Sequence, residues 1–199
     1  MTITYELGES LYLNITNRCT NRCTFCVRNQ PDGVAEGIDL WLKGEPEAAD
    51  VLAEIRERDA SRYREIVFCG YGEPLTRLDT VLEICQGLKK QYPIPIRINT
   101  NGQANLIYGR DITAQLAAWV DAVSISLNAK NKREYQLLCQ SDYGEDAFDA
   151  LLDFAVKCRQ HIPKVALSVV DLMPAADIEI CRQLAAGIGV DYKIRHLVG

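Results

Sequence analysis

Hydrophobic and polar positions alternate along the chain in two recurring patterns. Short apolar runs, such as SLYLNIT at 10–16 and KVALSVVDL at 164–172, are typical of strands that are buried on both faces. Longer segments carry apolar residues every three or four positions, which predicts amphipathic helices. In PEAADVLAEIRER, for example, Val51, Leu52 and Ile55 fall on one helical face. The chain is therefore expected to alternate strands with helices.

The complete pattern predicts six strands and the helices between them. The strands are expected at 10–16, 64–70, 95–102, 121–129, 164–172 and 191–198. The helices are expected at 46–58, at 77–91, at 113–120, from about 131, at 146–160 and at 176–189. Repeated strand–helix alternation indicates right-handed βαβ units with parallel strands. Because a closed barrel needs eight such units, we expect an α/β fold of the partial (βα)6 TIM-like barrel type in one domain over 1–199. An open α/β sheet is the alternative.

Polar and glycine-rich segments follow the predicted strands. They are CTNRCTFC at 19–26, CGYGEP at 69–74, NTNG at 99–102 and SISLN at 124–128. In both candidate folds, ligands bind at the carboxyl ends of the strands. The coincidence of four such segments at one rim predicts a ligand site there more strongly than any single motif does.

The first of these segments contains three closely spaced thiols, Cys19, Cys23 and Cys26. Thiolates favour soft metal centres. A structural zinc site normally has four ligands, and the two histidines, His161 and His196, lie far along the chain. A four-iron cluster usually takes four thiolates as well. Three thiolates would leave one iron without a protein ligand, free to hold a substrate or a cofactor.

The other five cysteines are scattered, and we expect them to be small buried apolar residues rather than parts of a disulfide scaffold. They are Cys69, Cys85, Cys139, Cys158 and Cys181. A formal charge of −5 disfavours binding to nucleic acid. The N-terminal sequence lacks the pattern of a signal peptide, and no apolar run is long enough for a membrane span. We therefore expect a cytoplasmic protein that binds neither nucleic acid nor a membrane.

The segment GYGEP has its own chemical interpretation. Gly70 and Gly72 allow the backbone to approach a ligand closely, and Glu73 offers a carboxylate to a cationic amine. Pro74 fixes the direction in which the chain leaves the segment. The alternative is an ordinary turn with a solvated glutamate, which the neighbouring three-cysteine segment makes less attractive.

These motifs together resemble the radical S-adenosylmethionine (SAM) superfamily. The resemblance rests on Cx3Cx2C with Phe25 before the third cysteine, on a GGEP-like segment, and on the TNG and SxSLN strand ends. The opening LGESLYLNITNRCTNRCTFCVRN is also similar to the small TatD-linked radical SAM proteins, a group whose reaction is not defined. Tyr71 replaces the second glycine of GGEP, and Asn128 stands where many relatives have Asp.

The resemblance implies a [4Fe-4S] cluster held by Cys19, Cys23 and Cys26, with the fourth iron chelated by SAM. Reductive cleavage of SAM would give methionine and a 5′-deoxyadenosyl radical, which would abstract hydrogen from an unidentified substrate. The electron would come from an external donor such as a flavodoxin or a ferredoxin. The substrate would be either a small molecule or a partner protein.

The resemblance also assigns roles to individual residues. Phe25 is expected near the adenine, and Gly70, Gly72 and Glu73 near the methionine amino group. Thr100, Asn101 and Ser126 are expected to reach the ribose or the carboxylate.

Several polar residues remain open between two interpretations. Arg97 and Asn99 share one parity of the third strand, so both are expected to face the barrel interior, where Arg97 could meet the SAM carboxylate. Arg195 and His196 are adjacent at the last strand, so at most one is expected to point inward. Asp171 either contacts a ligand or caps the next turn.

The loop at 27–44 is longer than most βα connections, and it either shields the cluster, holds substrate or covers the barrel flank. Two functional alternatives also remain. One is an activase that forms a glycyl radical on a partner protein. The other is a non-catalytic metal- or redox-sensing module that uses the same three thiols.

Overall fold

The structure, a computed structural model, describes residues 2–30, 33–34 and 37–196. Its centre is a seven-stranded sheet in which the spatial order of the strands follows their order in the chain. The strands are β1 (Thr4–Leu7), β2 (Ser10–Leu13), β3 (Glu65–Phe68), β4 (Ile96–Thr100), β5 (Ala122–Ser126), β6 (Lys164–Val170) and β7 (Asp191–Arg195).

Strands β2 to β7 are all parallel, which confirms the predicted α/β partial barrel with six parallel strands. β1 was not predicted. It pairs antiparallel with β2, opposite Leu13 at Thr4, through a tight hairpin in which Gly8 adopts a left-handed φ of 59°. The predicted strand at 191–198 is observed as far as Arg195, and its last two residues lie outside the described part of the chain.

Seven helices connect these strands in the described part of the chain. They are α1 (Ala48–Glu57), α2 (Leu78–Gln91), α3 (Ala104–Tyr108), α4 (Thr113–Ala117), α5 (Lys132–Cys139), α6 (Asp146–His161) and α7 (Ala175–Ile188). The five-residue helix α3 was not predicted; the others lie where the apolar periodicity indicated. Among the described residues, no helix combines the length and the apolar character that crossing a membrane requires.

The two faces of the sheet differ in chemistry. In β4, Ile96 and Ile98 are fully buried in the hydrophobic core between sheet and helices. Arg97 and Asn99 point to the opposite face, where the Arg97 guanidinium donates a hydrogen bond to the Asn99 side chain. This confirms the prediction that the two residues share a face.

The sheet is strongly curved about this polar face. One cavity is lined both by Glu65 on β3 and by Lys193 and Arg195 on β7, although three strands separate β3 from β7 in the sheet. This arrangement requires β7 to bend back toward β3. The concave side of the sheet therefore encloses a polar interior, whereas the hydrophobic core lies on its convex side.

Candidate functional site

The three-cysteine loop follows β2 at the carboxyl end of the sheet. The three thiols of Cys19, Cys23 and Cys26 are each half-buried, and none is in a disulfide bond. A tight turn, in which the Cys26 amide donates to the Cys23 carbonyl at 3.2 Å, brings the backbone of these two residues together. A short 3-10 helix, Val27–Asn29, ends the loop. The fold thus places all three thiols at the rim where the sequence predicts a ligand.

Backbone amides point at two of these sulfurs. The Asn21 amide lies 3.4 Å from Cys19 Sγ, and the Arg28 amide donates to Cys26 and opposes the burial that raises the pKa of that thiol. Burial, reinforced by the nearby Glu73, raises the pKa of Cys19 to about 12. Among the described residues, no three His, Cys, Asp or Glu side chains form a ready-made metal site.

A fourth cysteine contacts this loop, and the sequence did not indicate it. Cys139, at the end of α5, is fully buried. It hydrogen-bonds Cys23, which lowers the pKa of Cys23 and raises that of Cys139. Cys85, Cys158 and Cys181 are buried as predicted for the scattered cysteines, whereas Cys69 is partly exposed.

The loop is docked on the carboxyl end of α5. The Arg22 amide donates to the Cys139 carbonyl at 2.9 Å, and the Thr24 amide donates to the Leu138 carbonyl at 2.9 Å. These carbonyls belong to the last turn of the helix, which has no partners within the helix itself. The cysteine loop therefore caps α5, and α5 fixes the position of the loop.

A buried polar network supports the loop from below. The Asn21 and Gln103 side-chain amides both donate to the Tyr135 hydroxyl, at 3.0 Å and 3.1 Å. Gln103 also donates to Asn21 Oδ1 at 2.8 Å and accepts from Thr20 and Ser141. The sequence does not indicate this network, because its members are far apart in the chain.

The two glycines of GYGEP have an immediate packing role. A Cβ atom on Gly70 would lie 2.1 Å from Asn14 Oδ1, and one on Gly72 would lie 2.4 Å from the Thr16 carbonyl and 2.6 Å from the Arg18 carbonyl. The close approach is thus to the start of the cysteine loop. Direct contact of these glycines with a ligand stays a prediction.

Glu73 is buried and joins the ends of β3 and β4. Its Oε1 accepts from the Leu75 amide and the Thr100 hydroxyl, at 3.0 Å and 2.8 Å. Its Oε2 accepts from the Asn101 amide at 2.7 Å. Burial raises the pKa of Glu73 to about 7 despite these three donors. The predicted residues Glu73, Thr100 and Asn101 are therefore brought together, and their contact with SAM stays a prediction.

Tyr71 and Phe25 are both packed into the protein. Tyr71 is buried with Tyr5 and Leu40, and its ring meets Trp41 edge-on at 5.2 Å. It therefore anchors the described part of the loop 27–44, of which residues 31–32 and 35–36 lie outside the described structure. Phe25 is half-buried against the main hydrophobic core.

The remaining polar groups lie at the ends of β5 and β7. Arg195 donates to Ser126 Oγ at 3.2 Å and to Asn128 Oδ1 at 3.4 Å. His196 lies 2.6 Å from the Asp171 carboxylate. Arg195 thus points inward while His196 does not, as the alternation of strand residues predicted. Asn128 adopts a left-handed φ of 53°.

Arg97 has a protein partner. It forms a two-pronged ion pair with Glu65 on the neighbouring strand, through Nε at 3.1 Å and Nη2 at 2.7 Å. The charge of this guanidinium is therefore already balanced within the barrel interior.

The family comparison agrees with this geometry. The family model of the radical SAM superfamily matches residues 13–186, which include the cysteine loop and the residues that the resemblance assigns to SAM. The chain belongs to the radical SAM superfamily. Radical SAM proteins use a [4Fe-4S] cluster and SAM.

Curated relatives share part of the sequence. A probable GTP 3′,8-cyclase from Methanothermobacter thermautotrophicus is 33% identical over 136 residues, which cover 68% of the chain and 40% of that protein. A GTP 3′,8-cyclase from Lactiplantibacillus plantarum is 26% identical over 176 residues, which cover 88% of the chain and 49% of that protein. The chain thus spans less than half the length of each of these relatives.

Solved structures share the fold. A radical SAM methyltransferase from Sphaerobacter thermophilus superimposes with a TM-score of 0.66 at 16% identity, over 97% of the chain and 68% of that protein. SuiB from Streptococcus suis, solved with S-adenosylmethionine bound, gives a TM-score of 0.68 at 16% identity, over 94% of the chain and 38% of that protein. At such low identity these structures establish the radical SAM fold of the chain, a partial barrel.

The residues present fit a radical SAM cluster. Three thiols on one loop provide the soft donor set that an iron–sulfur cluster needs. The amides of Asn21 and Arg28 supply the hydrogen bonds to sulfur that tune such clusters. The Cys23 thiol hydrogen-bonds the Cys139 thiol in this structure.

Proposed function

We propose that the chain is a radical SAM enzyme in which Cys19, Cys23 and Cys26 hold a [4Fe-4S] cluster. The observation that supports this most strongly is the location of all three thiols on one loop at the carboxyl rim. When bound, the cluster supplies the electron for reductive cleavage of SAM to methionine and a 5′-deoxyadenosyl radical, which abstracts hydrogen from the substrate. A flavodoxin or a ferredoxin is the proposed electron donor.

The chain's own residues position the cofactors in this proposal. Glu73, Thr100 and Asn101 hold the ends of β3 and β4 in a fixed relation to the loop. The remaining lone pairs of Glu73, together with the carbonyls of Gly70 and Gly72, are assigned to the methionine amino group of SAM. Phe25 is assigned to the adenine, and Thr100, Asn101 and Ser126 are assigned to the ribose or the carboxylate.

Within the superfamily we place the chain with the TatD-linked radical SAM proteins, on the basis of the opening LGESLYLNITNRCTNRCTFCVRN. We treat residues 1–199 as one radical SAM core domain. GTP is not carried over from the cyclases as the substrate, because the chain spans less than half of their length.

The test is the formation of 5′-deoxyadenosine. Protein reconstituted with iron and sulfide without oxygen is incubated with SAM and dithionite, and the products are separated by liquid chromatography. The proposal predicts 5′-deoxyadenosine and methionine in equal amounts, and no product from the Cys23→Ala variant. A reconstituted protein that binds iron yet leaves SAM intact would instead favour the non-catalytic sensing module.

A further inference from the structure

The concave face of the sheet encloses a cavity of about 460 Å³ that reaches from β2 to β7. Closed β/α barrels fill the equivalent space with bulky branched side chains. Here the inner positions of β5 and β6 are occupied by Ala122, Ser124 and Ala166, which are too small to fill it. The sequence therefore leaves a hollow interior where packing alone would favour larger residues.

The wall of this cavity is cationic although the chain as a whole is acidic. The formal charge of the chain is −5. The charged residues on the wall are four cations and two carboxylates: Arg97, Lys164, Lys193, Arg195, Glu65 and Asp191. The interior thus carries an excess of positive charge.

This excess comes from Lys164 on β6 and from β7, where Lys193 and Arg195 outnumber Asp191. Arg97 is balanced by its ion pair with Glu65, and the charge of Lys193 acts on that same carboxylate. One carboxylate is therefore shared by two cations. Arg195 donates to two uncharged oxygens, on Ser126 and Asn128, at 3.2 Å and 3.4 Å.

Arg195 also connects the cavity to the cysteine loop. Its guanidinium donates to Ser126 and Asn128 at the carboxyl end of β5, the end of the sheet at which the cysteine loop follows β2. The upper end of the cavity therefore lies at the same rim as the proposed cluster. Lys193 lies two residues earlier on the same face of β7, which places the two cations in a row leading into the interior.

We propose that this cavity binds a small-molecule substrate through an oxyanion group, phosphate or carboxylate, which Arg195 and Lys193 hold. The proposal rests on the proposed function and adds the chemical class of its substrate. Ser126 and Asn128 fix the position of the Arg195 guanidinium, and the small residues of β5 and β6 leave space for the rest of the ligand.

The experiment is calorimetric titration of the anaerobically reconstituted chain, residues 1–199, with two probes, pyrophosphate and citrate. The variants are Lys193→Met and Arg195→Met, and the control is Lys90→Met. Lys90 is exposed on α2, outside the cavity, and its replacement removes the same single charge. Each cavity variant should weaken binding at least about tenfold, which corresponds to about 1.4 kcal/mol, whereas Lys90→Met should change the dissociation constant less than about twofold.

Each outcome has a defined meaning. Saturable binding of pyrophosphate alone supports a phosphate-bearing substrate, and saturable binding of citrate alone supports a carboxylate; binding of both supports the shared oxyanion chemistry. Failure of both probes to bind, or an equal weakening in Lys90→Met, overturns the proposal. SAM cleavage is measured separately in the wild-type protein, so loss of the proposed function and loss of anion binding are distinguished.

Discussion

The rim above β2–β4 and the rim above β5–β7 both carry polar groups but use them differently. At the β2–β4 rim, Glu73 accepts hydrogen bonds from Leu75, Thr100 and Asn101, all within the protein. At the β5–β7 rim, the Arg195 guanidinium donates to uncharged oxygens of Ser126 and Asn128, and the residue is exposed. A buried carboxylate that is held by three internal donors indicates a supporting structure, whereas an exposed cation with neutral partners indicates a binding surface.

This difference changes the interpretation of the sequence motif. GYGEP and TNG are expected to contact SAM, yet their closest contacts in the structure are with one another and with the cysteine loop. The GYGEP and TNG segments therefore fix the position of the cysteine loop. Substitutions at the β2–β4 rim should reduce stability and cluster content together, and substitutions at the β5–β7 rim should leave both nearly unchanged.

The largest effect is expected for Gly72→Ala. The new Cβ would lie under 3 Å from two backbone carbonyls, of Thr16 and Arg18, which can move only with the cysteine loop. We expect a loss of about 3 kcal/mol in the free energy of unfolding and loss of iron on reconstitution, measured by denaturant titration and iron assay. Gly44→Ala is the control, because nothing lies within 4 Å of its Cβ position. Equal effects of both substitutions would refute the packing role of Gly72.

Glu73→Gln tests the buried carboxylate through pH. Because burial raises the pKa of Glu73 from 4.5 to about 7, the folded protein holds a proton that the unfolded chain releases between these values. The stability of the metal-free protein should therefore fall as pH rises from about 4.5 to 7, by at most about 3 kcal/mol, and remain unaffected below that window.

In Glu73→Gln this fall should disappear, as measured by chemical unfolding at pH 5 and pH 7. Glu83→Gln, at an exposed position of α2, provides the control and should keep the wild-type pH dependence. A wild-type pH dependence in Glu73→Gln would show that the carboxylate is not the group that titrates.

Tyr135→Phe should have an intermediate effect. It removes the hydroxyl that accepts from the buried amides of Asn21 and Gln103, and an unsatisfied buried donor costs about 1–3 kcal/mol. We expect a loss of about 2 kcal/mol in thermal or chemical unfolding, with a lower iron content. The control is Tyr92→Phe, at the partly exposed end of α2. An unchanged stability of Tyr135→Phe would mean that the network does not support the loop.

The smallest effect is expected for Ser126→Ala at the β5–β7 rim. Its hydroxyl accepts a hydrogen bond from Arg195, which is exposed. The free energy of unfolding should therefore change by no more than about 0.5 kcal/mol. A loss as large as that of Tyr135→Phe would remove the distinction between the two rims.

The sequence predicted most of the fold because periodicity and strand order are local properties. The six parallel strands and the long helices follow from apolar spacing alone. The strand Thr4–Leu7 was missed because four alternating residues give little signal before the hairpin with β2 buries Tyr5. Strand ends likewise identified the rim, since parallel strands bring their carboxyl ends to one edge.

The partners at the site were not predictable in the same way. That Cys139 contacts Cys23, and that Lys193 acts on Glu65, depends on the curvature of the sheet and on the docking of α5. No local pattern records these contacts. For the same reason the sequence could name Arg97 as a buried cation without indicating that Glu65 neutralises it.

The most direct test of the proposed cluster is the EPR spectrum of the reduced, anaerobically reconstituted protein before and after addition of SAM. The wild-type protein should contain about four irons per chain, and SAM should alter its spectrum. Cys23→Ala should lose the signal, and Cys139→Ala should retain both the cluster and the response to SAM. A wild-type spectrum that ignores SAM, with a response that emerges only in Cys139→Ala, would show that Cys139 occupies the fourth iron and would contradict the account.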